Sequence, residues 1–162
     1  MVLIRKYEEK DKEEIWEIIE YVISQGDSYT FALDTPREFA LEDWCSPDKH
    51  TFVAVDENEK VVGTFYIKPN QIGLGAHIAN GSYMVVPEAR RKGIGRLMGE
   101  HSIEEAKKLG FHAMQFNFVV KSNEKAVNLW KSLGFEIIGE IPEAFRHREN
   151  GLTNAYIMYR KL

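Results

Sequence analysis

The sequence predicts a mixed α/β fold with several antiparallel strand pairs. Three observations carry that expectation. Short runs rich in Val, Ile, Phe and Tyr recur along the chain, and between them lie segments whose apolar residues fall at helical spacing. Several strand-like runs follow one another with only a turn between them, which antiparallel neighbours allow and parallel neighbours do not. The resulting order, β-α-α-β-β-β-α-β-α-β-β, is not a uniform βα repeat, which argues against a TIM barrel or a dinucleotide-binding doubly wound sheet.

Leu3 to Tyr7 reads as a first short strand. Asp11 and Glu14 form a capping-box pattern ahead of Ile15, Trp16, Ile18, Ile19, Val22 and Ile23, so a helix follows, and Gly26-Asp27-Ser28 breaks it. Thr35-Pro36-Arg37-Glu38 is a second start signal, with Thr35 as N-cap and Pro36 at the first helical position. That helix carries Phe39, Leu41 and Trp44 and ends near Ser46-Pro47. Thr51 to Val55 and Val61 to Ile67 are β-rich runs joined by a polar turn, hence a hairpin. Ile78 to Val86 is a further strand; Gly81 within it suggests a bulge or a close backbone approach, and Pro87 stops it. A helix is expected from Ile94 to Leu109, ended by Gly110, then a strand from Ala113 to Val120. Ala126, Leu129, Trp130 and Leu133 place a last helix before Gly134. Phe135 to Ile141 and Leu152 to Tyr159 are the final strands, around an irregular stretch holding Asn150-Gly151.

The length of 162 residues fits one domain, residues 1–162, large enough to bury a core without disulfides or metal. A net charge of −4 makes the chain a poor candidate for a dedicated nucleic-acid binder. A single cysteine, Cys45, excludes a disulfide framework and a cysteine-based zinc site, and no His/Glu spacing argues for another metal. No apolar run reaches a membrane span, and the first residues lack the apolar core of a signal peptide, so a cytoplasmic protein is expected.

The chemistry concentrates at Val85-Val86-Pro87-Glu88-Ala89-Arg90-Arg91-Lys92-Gly93-Ile94-Gly95-Arg96. A strand ends, a basic turn with two glycines follows, and an amphipathic helix begins. A helix start presents unpaired N–H groups and a partial positive charge; glycines let a ligand approach the backbone; the cations add attraction. Together they suit a pyrophosphate. The same basic cluster is also compatible with an ordinary solvated face. The pattern is neither a P-loop nor a dinucleotide fingerprint, because Met98 stands where the third glycine would be.

Arg90-x-x-Gly93-x-Gly95 after a strand ending in Val-Pro-Glu resembles the acetyl-CoA signature of the GNAT N-acetyltransferase superfamily. A second signature follows roughly 30 residues on: Asn123, Ala126, Leu129, Trp130, then Gly134-Phe135. The element order extends the resemblance over nearly the whole chain, and implies a central mixed, mostly antiparallel sheet flanked by about four helices. The Thr35-Pro36 and Trp44 region and the Ile141-to-Phe145 tail resemble a small-molecule branch that acts on amino acids and proline analogues.

The resemblance implies acetyl-CoA as acyl-donor co-substrate and assigns roles by position. Met84, Val85 and Val86 would pair with the pantetheine arm. Backbone from Arg91 through Lys92, Gly93, Ile94 and Gly95 to Arg96 would hold the pyrophosphate. Asn123 would contact the cofactor, although a helix cap there is the competing role, and Trp130 would lie beside it. Direct acyl transfer needs a neutral amine, an oxyanion donor and a proton for the leaving thiolate. The Met84 N–H on a bulged strand is the expected oxyanion donor. Trp130 stands where the family usually places a tyrosine acid, and an indole is no general acid; Tyr83, Tyr66 or water would replace it. Asn80 is a substrate-binding candidate, or merely a polar residue at a bulge. Tyr29 and Phe31, with Phe39 and Trp44, would lid the acceptor pocket or belong to the core. Glu88 reads as support for the helix start rather than a base, and His101 as a satisfied core histidine. The expected activity is transfer of acetyl to the amine of a small molecule, with a homodimer a compatible assembly and neither nucleic acid nor membrane as partner. Acetylation of a protein N-terminus or lysine is the rival enzyme reading, and a non-catalytic CoA sensor the rival of another kind.

Overall fold

A computed structural model describes residues 1–162. The chain runs β1 (Leu3–Lys6), α1 (Lys12–Gln25), α2 (Arg37–Trp44), β2 (His50–Val55), β3 (Val61–Pro69), β4 (Ile78–Val85), α3 (Ile94–Lys108), β5 (Ala113–Val120), α4 (Glu124–Ser132), β6 (Glu136–His147) and β7 (Gly151–Lys161). The strands form one seven-stranded sheet in the order β1-β2-β3-β4-β5-β7-β6. Every pair is antiparallel except β4 and β5. The mixed α/β expectation and the element order are therefore met. No helix is long and apolar enough to cross a membrane.

Alternation along β3 distributes the helices. Side chains of neighbouring strand residues point to opposite faces. Thr64 accepts the Trp44 indole N–H at 3.0 Å, which fixes α2 on one face with α1. Gly63 faces the other way: a Cβ there would stand 2.9 Å from Met98 Sδ of α3. Ile15, Ile18, Ile19, Val22 and Ile23 bury the inner stripe of α1, as the sequence spacing requires.

Several local details differ from expectation. Asp11 is the N-cap residue of α1, but its side chain makes no capping bond there. It belongs to a capping box with Glu8 around the preceding 3-10 turn, and its carboxylate takes both guanidinium nitrogens of Arg5 at 2.8 and 3.0 Å. Glu14 instead reaches across to accept the Val61 N–H at 3.0 Å. α2 begins one residue later than predicted, with Pro36 at the N-cap and the Thr35 hydroxyl turned back to the Ala32 carbonyl. β6 continues to His147, so the irregular stretch shrinks to a turn. Pro142 is tolerated there because β6 is an edge strand with a register shift between Ile141 and Phe145. Gly81 makes no bulge against β3, whose register with β4 is continuous from Gly63 to Pro69. It marks a close approach: a Cβ would stand 2.8 Å from the Tyr83 hydroxyl. His101 packs edge-on against the stacked rings of Phe52 and Phe65 but is not satisfied; its buried Nδ1 has no partner, and burial pushes its pKa below the ordinary value.

Candidate active site

The site arises where the sheet splits. β4 and β5 pair only at Ile78↔Ala113 and Ala79↔Met114 and then diverge. The gap opens into a cleft of about 1130 Å³. Its walls are β4, β5, the loop between α1 and α2, the N-terminal ends of α3 and α4, and His147 of β6. A buried strand edge facing a cleft leaves polar backbone groups that must be accounted for one by one.

Register decides which groups face the gap. Residues opposite one another in an antiparallel pair alternate between hydrogen-bonded and non-hydrogen-bonded. Val86 gives its N–H to Val62 at 3.0 Å and Asn70 gives its own to Ile78 at 2.7 Å, so the even residues of β4 bond to β3. Met84 stands opposite Thr64 in that set. Its N–H belongs to the ladder, so the expectation of a cleft-facing Met84 N–H is corrected, and Val86 is corrected with it. The odd residues Gly81, Tyr83 and Val85 face the cleft. Gly81 N–H is taken by Asn80 Oδ1 at 2.8 Å. Tyr83 N–H is taken by the Tyr29 hydroxyl at 2.8 Å, which returns its proton to the Tyr83 carbonyl at 2.6 Å. Only the Val85 N–H has no acceptor along the edge.

Beyond Val85 the chain turns through Pro87–Ala89 into α3. Arg91 and Gly93 take positive φ values of 69° and 77°. The second is the left-handed N-cap of α3, a conformation that glycine adopts without strain. No side chain caps this helix. The first-turn N–H groups of Ile94, Gly95 and Arg96 therefore converge without a side-chain acceptor, with the exposed cations Arg91 and Lys92 beside them. Such an end suits an anion. Arg96 is partly engaged by Ser132 at 2.6 Å on α4, and Arg90 lies over the Tyr21 ring at 5.5 Å. Gly95 keeps the gap to α4 clear, where Leu129 Cδ2 would lie 3.6 Å from an added Cβ.

Opposite this turn, Asn123 is the N-cap residue of α4 but its side chain makes no capping bond; it lines the cleft, as Trp130 does. Trp130 is 7% exposed and packs on Tyr83 and Phe116 with centroids 4.7 and 4.6 Å away. The Tyr83 phenol points into the same cluster. Ser102 donates to the Gly99 carbonyl at 2.8 Å, so in the 2.7 Å contact between Tyr83 and Ser102 the phenol is the donor. Burial also pushes the Tyr83 pKa up. A proton so committed is badly placed to serve a leaving group, which corrects the expectation of Tyr83 as acid. Tyr66, whose pKa burial also raises, accepts from the Ser82 hydroxyl at 3.1 Å and keeps its own proton to give.

The remaining predicted residues divide. Tyr29, Phe31, Asn80, Met84, Val85, Arg91, Gly93, Ile94, Gly95 and Arg96 line the cleft; Lys92 and Val86 do not. Phe39 lies at the rim, 61% exposed, and Trp44 is a core residue at 1% that still touches the cleft. Sequence reasoning missed Phe116 to Val120, which form the β5 wall, and His147. Cys45 lies outside the cleft, and burial pushes its thiol up to about 11.

The chain can thus hold an anion at the start of α3 and an extended chain beside β4. Comparisons with known proteins give the family. The family model described as Acetyltransferase (GNAT) family matches residues 5–135. N-acetyltransferase aca1 of Schizosaccharomyces pombe is 34% identical, over 91% of this chain and 80% of its own. The structure of a GCN5-related N-acetyltransferase from Kribbella flavida superposes with a TM-score of 0.96 at 38% identity, covering 99% of this chain and 98% of that one. A phosphinothricin acetyltransferase from Sinorhizobium meliloti, solved with acetyl-CoA, shares the fold with a TM-score of 0.88 at 24% identity, covering 99% and 88%. The chain belongs to the GNAT acetyltransferase family, as an acyltransferase whose donor is acetyl-CoA and whose acceptor is an amine.

Proposed function

We propose that the acceptor is a small molecule, an amino acid or an analogue of one, and that it is acetylated by direct transfer. The observation that carries this is the aromatic wall of the cleft beside a tie between the β6–β7 turn and the end of α1. Arg148, at the β6–β7 turn, gives its N–H to the Gly26 carbonyl at 2.9 Å and its guanidinium to the Ser24 carbonyl at 2.8 Å. That tie joins the turn to the end of α1. The residues next to the tie, Asp27 and His147, line the cleft, whose wall also holds Tyr29, Phe31, Trp44, Tyr66 and Phe118. Aromatic walls of this kind suit a compact ligand with a few polar groups. The phosphinothricin acetyltransferase, which has the same fold, bears the name of a small amino-acid-like substrate.

In this reading the first turn of α3, with Arg91 and Lys92, holds the pyrophosphate, and Asn123 flanks it from α4. When bound, acetyl-CoA supplies the activated acetyl group. Val85 N–H pairs with the pantetheine arm. Asn80 presents its amide NH₂ to the acceptor, because its oxygen is spent on Gly81. Tyr66 would give a proton to the leaving thiolate and regain one from the amine nitrogen as it becomes an amide, while Trp130 would pack without titrating. The attacking amine must be neutral, so kcat/KM rises with pH toward the amine's own pKa.

The test is a thiol-release screen of free amino acids and phosphinothricin against peptides bearing a free N-terminus or a lysine. Turnover of free amino acids at kcat/KM at least tenfold above the peptides is expected. Preferential turnover of peptides would overturn the reading. So would a stable acetyl-enzyme with ping-pong kinetics.

A further inference from the structure

The open edge of β4 is one residue long, and a side chain from the acceptor loop ends it. Tyr29 lies between α1 and α2, its ring set edge-on to the buried Trp44 at 6.5 Å. Its hydroxyl both accepts from Tyr83 N–H and donates to Tyr83 C=O, at 2.8 and 2.6 Å. A neighbouring strand would make the same two bonds, so the phenol acts as a one-residue substitute for β5 beyond the point where β5 turns away. An arm that leaves the first turn of α3 and descends along β4 meets Val85 first. Tyr83 follows two residues on, roughly 7 Å further at strand spacing.

We propose that Tyr29 is a specificity-determining residue for the acyl group, closing β4 at Tyr83 so that only a short acyl chain fits beyond Val85. This rests on the placement of the donor arm at Val85 put forward above, and not on the kind of acceptor. A longer chain has to displace the phenol and strand the N–H and C=O of Tyr83, groups whose partners the fold does not otherwise supply. The same contact ties the acceptor loop to the strand that carries the donor, so the acyl group and the acceptor meet at one fixed point.

Calorimetric binding of acetyl-CoA, propionyl-CoA and butyryl-CoA tests this without an acceptor. The wild-type protein is expected to bind butyryl-CoA at least tenfold more weakly than acetyl-CoA, about 1.4 kcal/mol. Tyr29→Ala should bring the ratio to within about threefold. Tyr29→Phe keeps the ring and loses the hydroxyl, and carries the test if the alanine variant unfolds. It should give an intermediate ratio, with the Tyr83 amide exchanging its hydrogen at least tenfold faster than in the wild type. An unchanged ratio in the folded variants, or a wild type that does not discriminate, would overturn the proposal. Failure of the wild type to bind acetyl-CoA would overturn the donor placement as well.

Discussion

Val85→Pro deletes the cleft-facing N–H of β4 that no protein group accepts, whereas Met84→Pro, one residue earlier, deletes one that pairs with Thr64. The two substitutions are chemically alike, so register alone sets their consequences apart. At Met84 the change strands a carbonyl on Thr64, which is 0% exposed, beside a residue at 2%. A buried acceptor left without a donor costs about 1–3 kcal/mol, before any backbone distortion. At Val85 no ladder bond is lost, and Met84 before it is already extended, as a residue preceding proline prefers. The loss there falls on the ligand. One neutral hydrogen bond is worth about 0.5–1.5 kcal/mol, which weakens acetyl-CoA between about twofold and about tenfold. Urea unfolding and calorimetry on the two variants read both effects. Equal stability of the two, or unchanged acetyl-CoA affinity in Val85→Pro, would refute the assignment of register and of the donor's pairing site.

Three further outcomes follow from the geometry. Gly93→Ala meets open space but must hold a φ of 77°, so it should cost about 1–2 kcal/mol in urea unfolding; Gly95→Ala meets only Leu129 at ordinary contact distance, so it should fold as the wild type does yet bind acetyl-CoA more weakly by calorimetry. Trp130→Phe should keep most of kcat, because no acid is lost, while Trp130→Ala should lose roughly 3–5 kcal/mol of stability from a ring packed on Tyr83, Phe116 and Phe135; a hundredfold fall in kcat for the phenylalanine variant would show that the indole N–H is needed. Burial alone would push the Asp11 carboxyl up, but the Arg5 hydrogen bonds and the Glu8 N–H outweigh it and hold its pKa below the ordinary value. Its contribution to stability is therefore complete above about pH 4, where the unfolded carboxyl is ionised, and is lost as pH falls through the lower folded value; Asp11→Asn should flatten that acid limb in urea midpoints measured from about pH 2 to 6.

The turn from Arg90 to Gly95 was legible because its requirements are local. A left-handed N-cap calls for glycine, and an anion site calls for an uncapped helix start, and both leave marks in adjacent residues. The alternation of elements was legible for the same reason. What escaped was set by distant partners. Whether Met84 or Val85 turns its N–H to the cleft depends on which residue of β3 stands opposite, and side-chain type carries no trace of that. The Tyr29 bond to Tyr83 joins residues 54 apart in sequence and forms only because β5 diverges after Met114. His147 enters the cleft because β6 runs past Pro142, which reads locally as the end of a strand and is harmless on a sheet edge. Asp11 fits a capping pattern ahead of α1, but its carboxylate is drawn away by Arg5, on a different element, and by the Glu8 N–H.

Backbone amide shifts recorded while acetyl-CoA is titrated into the protein report most directly on where the donor binds. The largest changes are expected at Val85 and at Ile94, Gly95 and Arg96, with the Met84 amide moved far less because its proton stays with Thr64. Changes centred instead on the groove that Tyr7, Lys12, Glu13, Arg37, Leu41 and Cys45 line between the start of α1 and α2, with Val85 and the start of α3 unmoved, would contradict the placement of the active site in the β4–β5 gap.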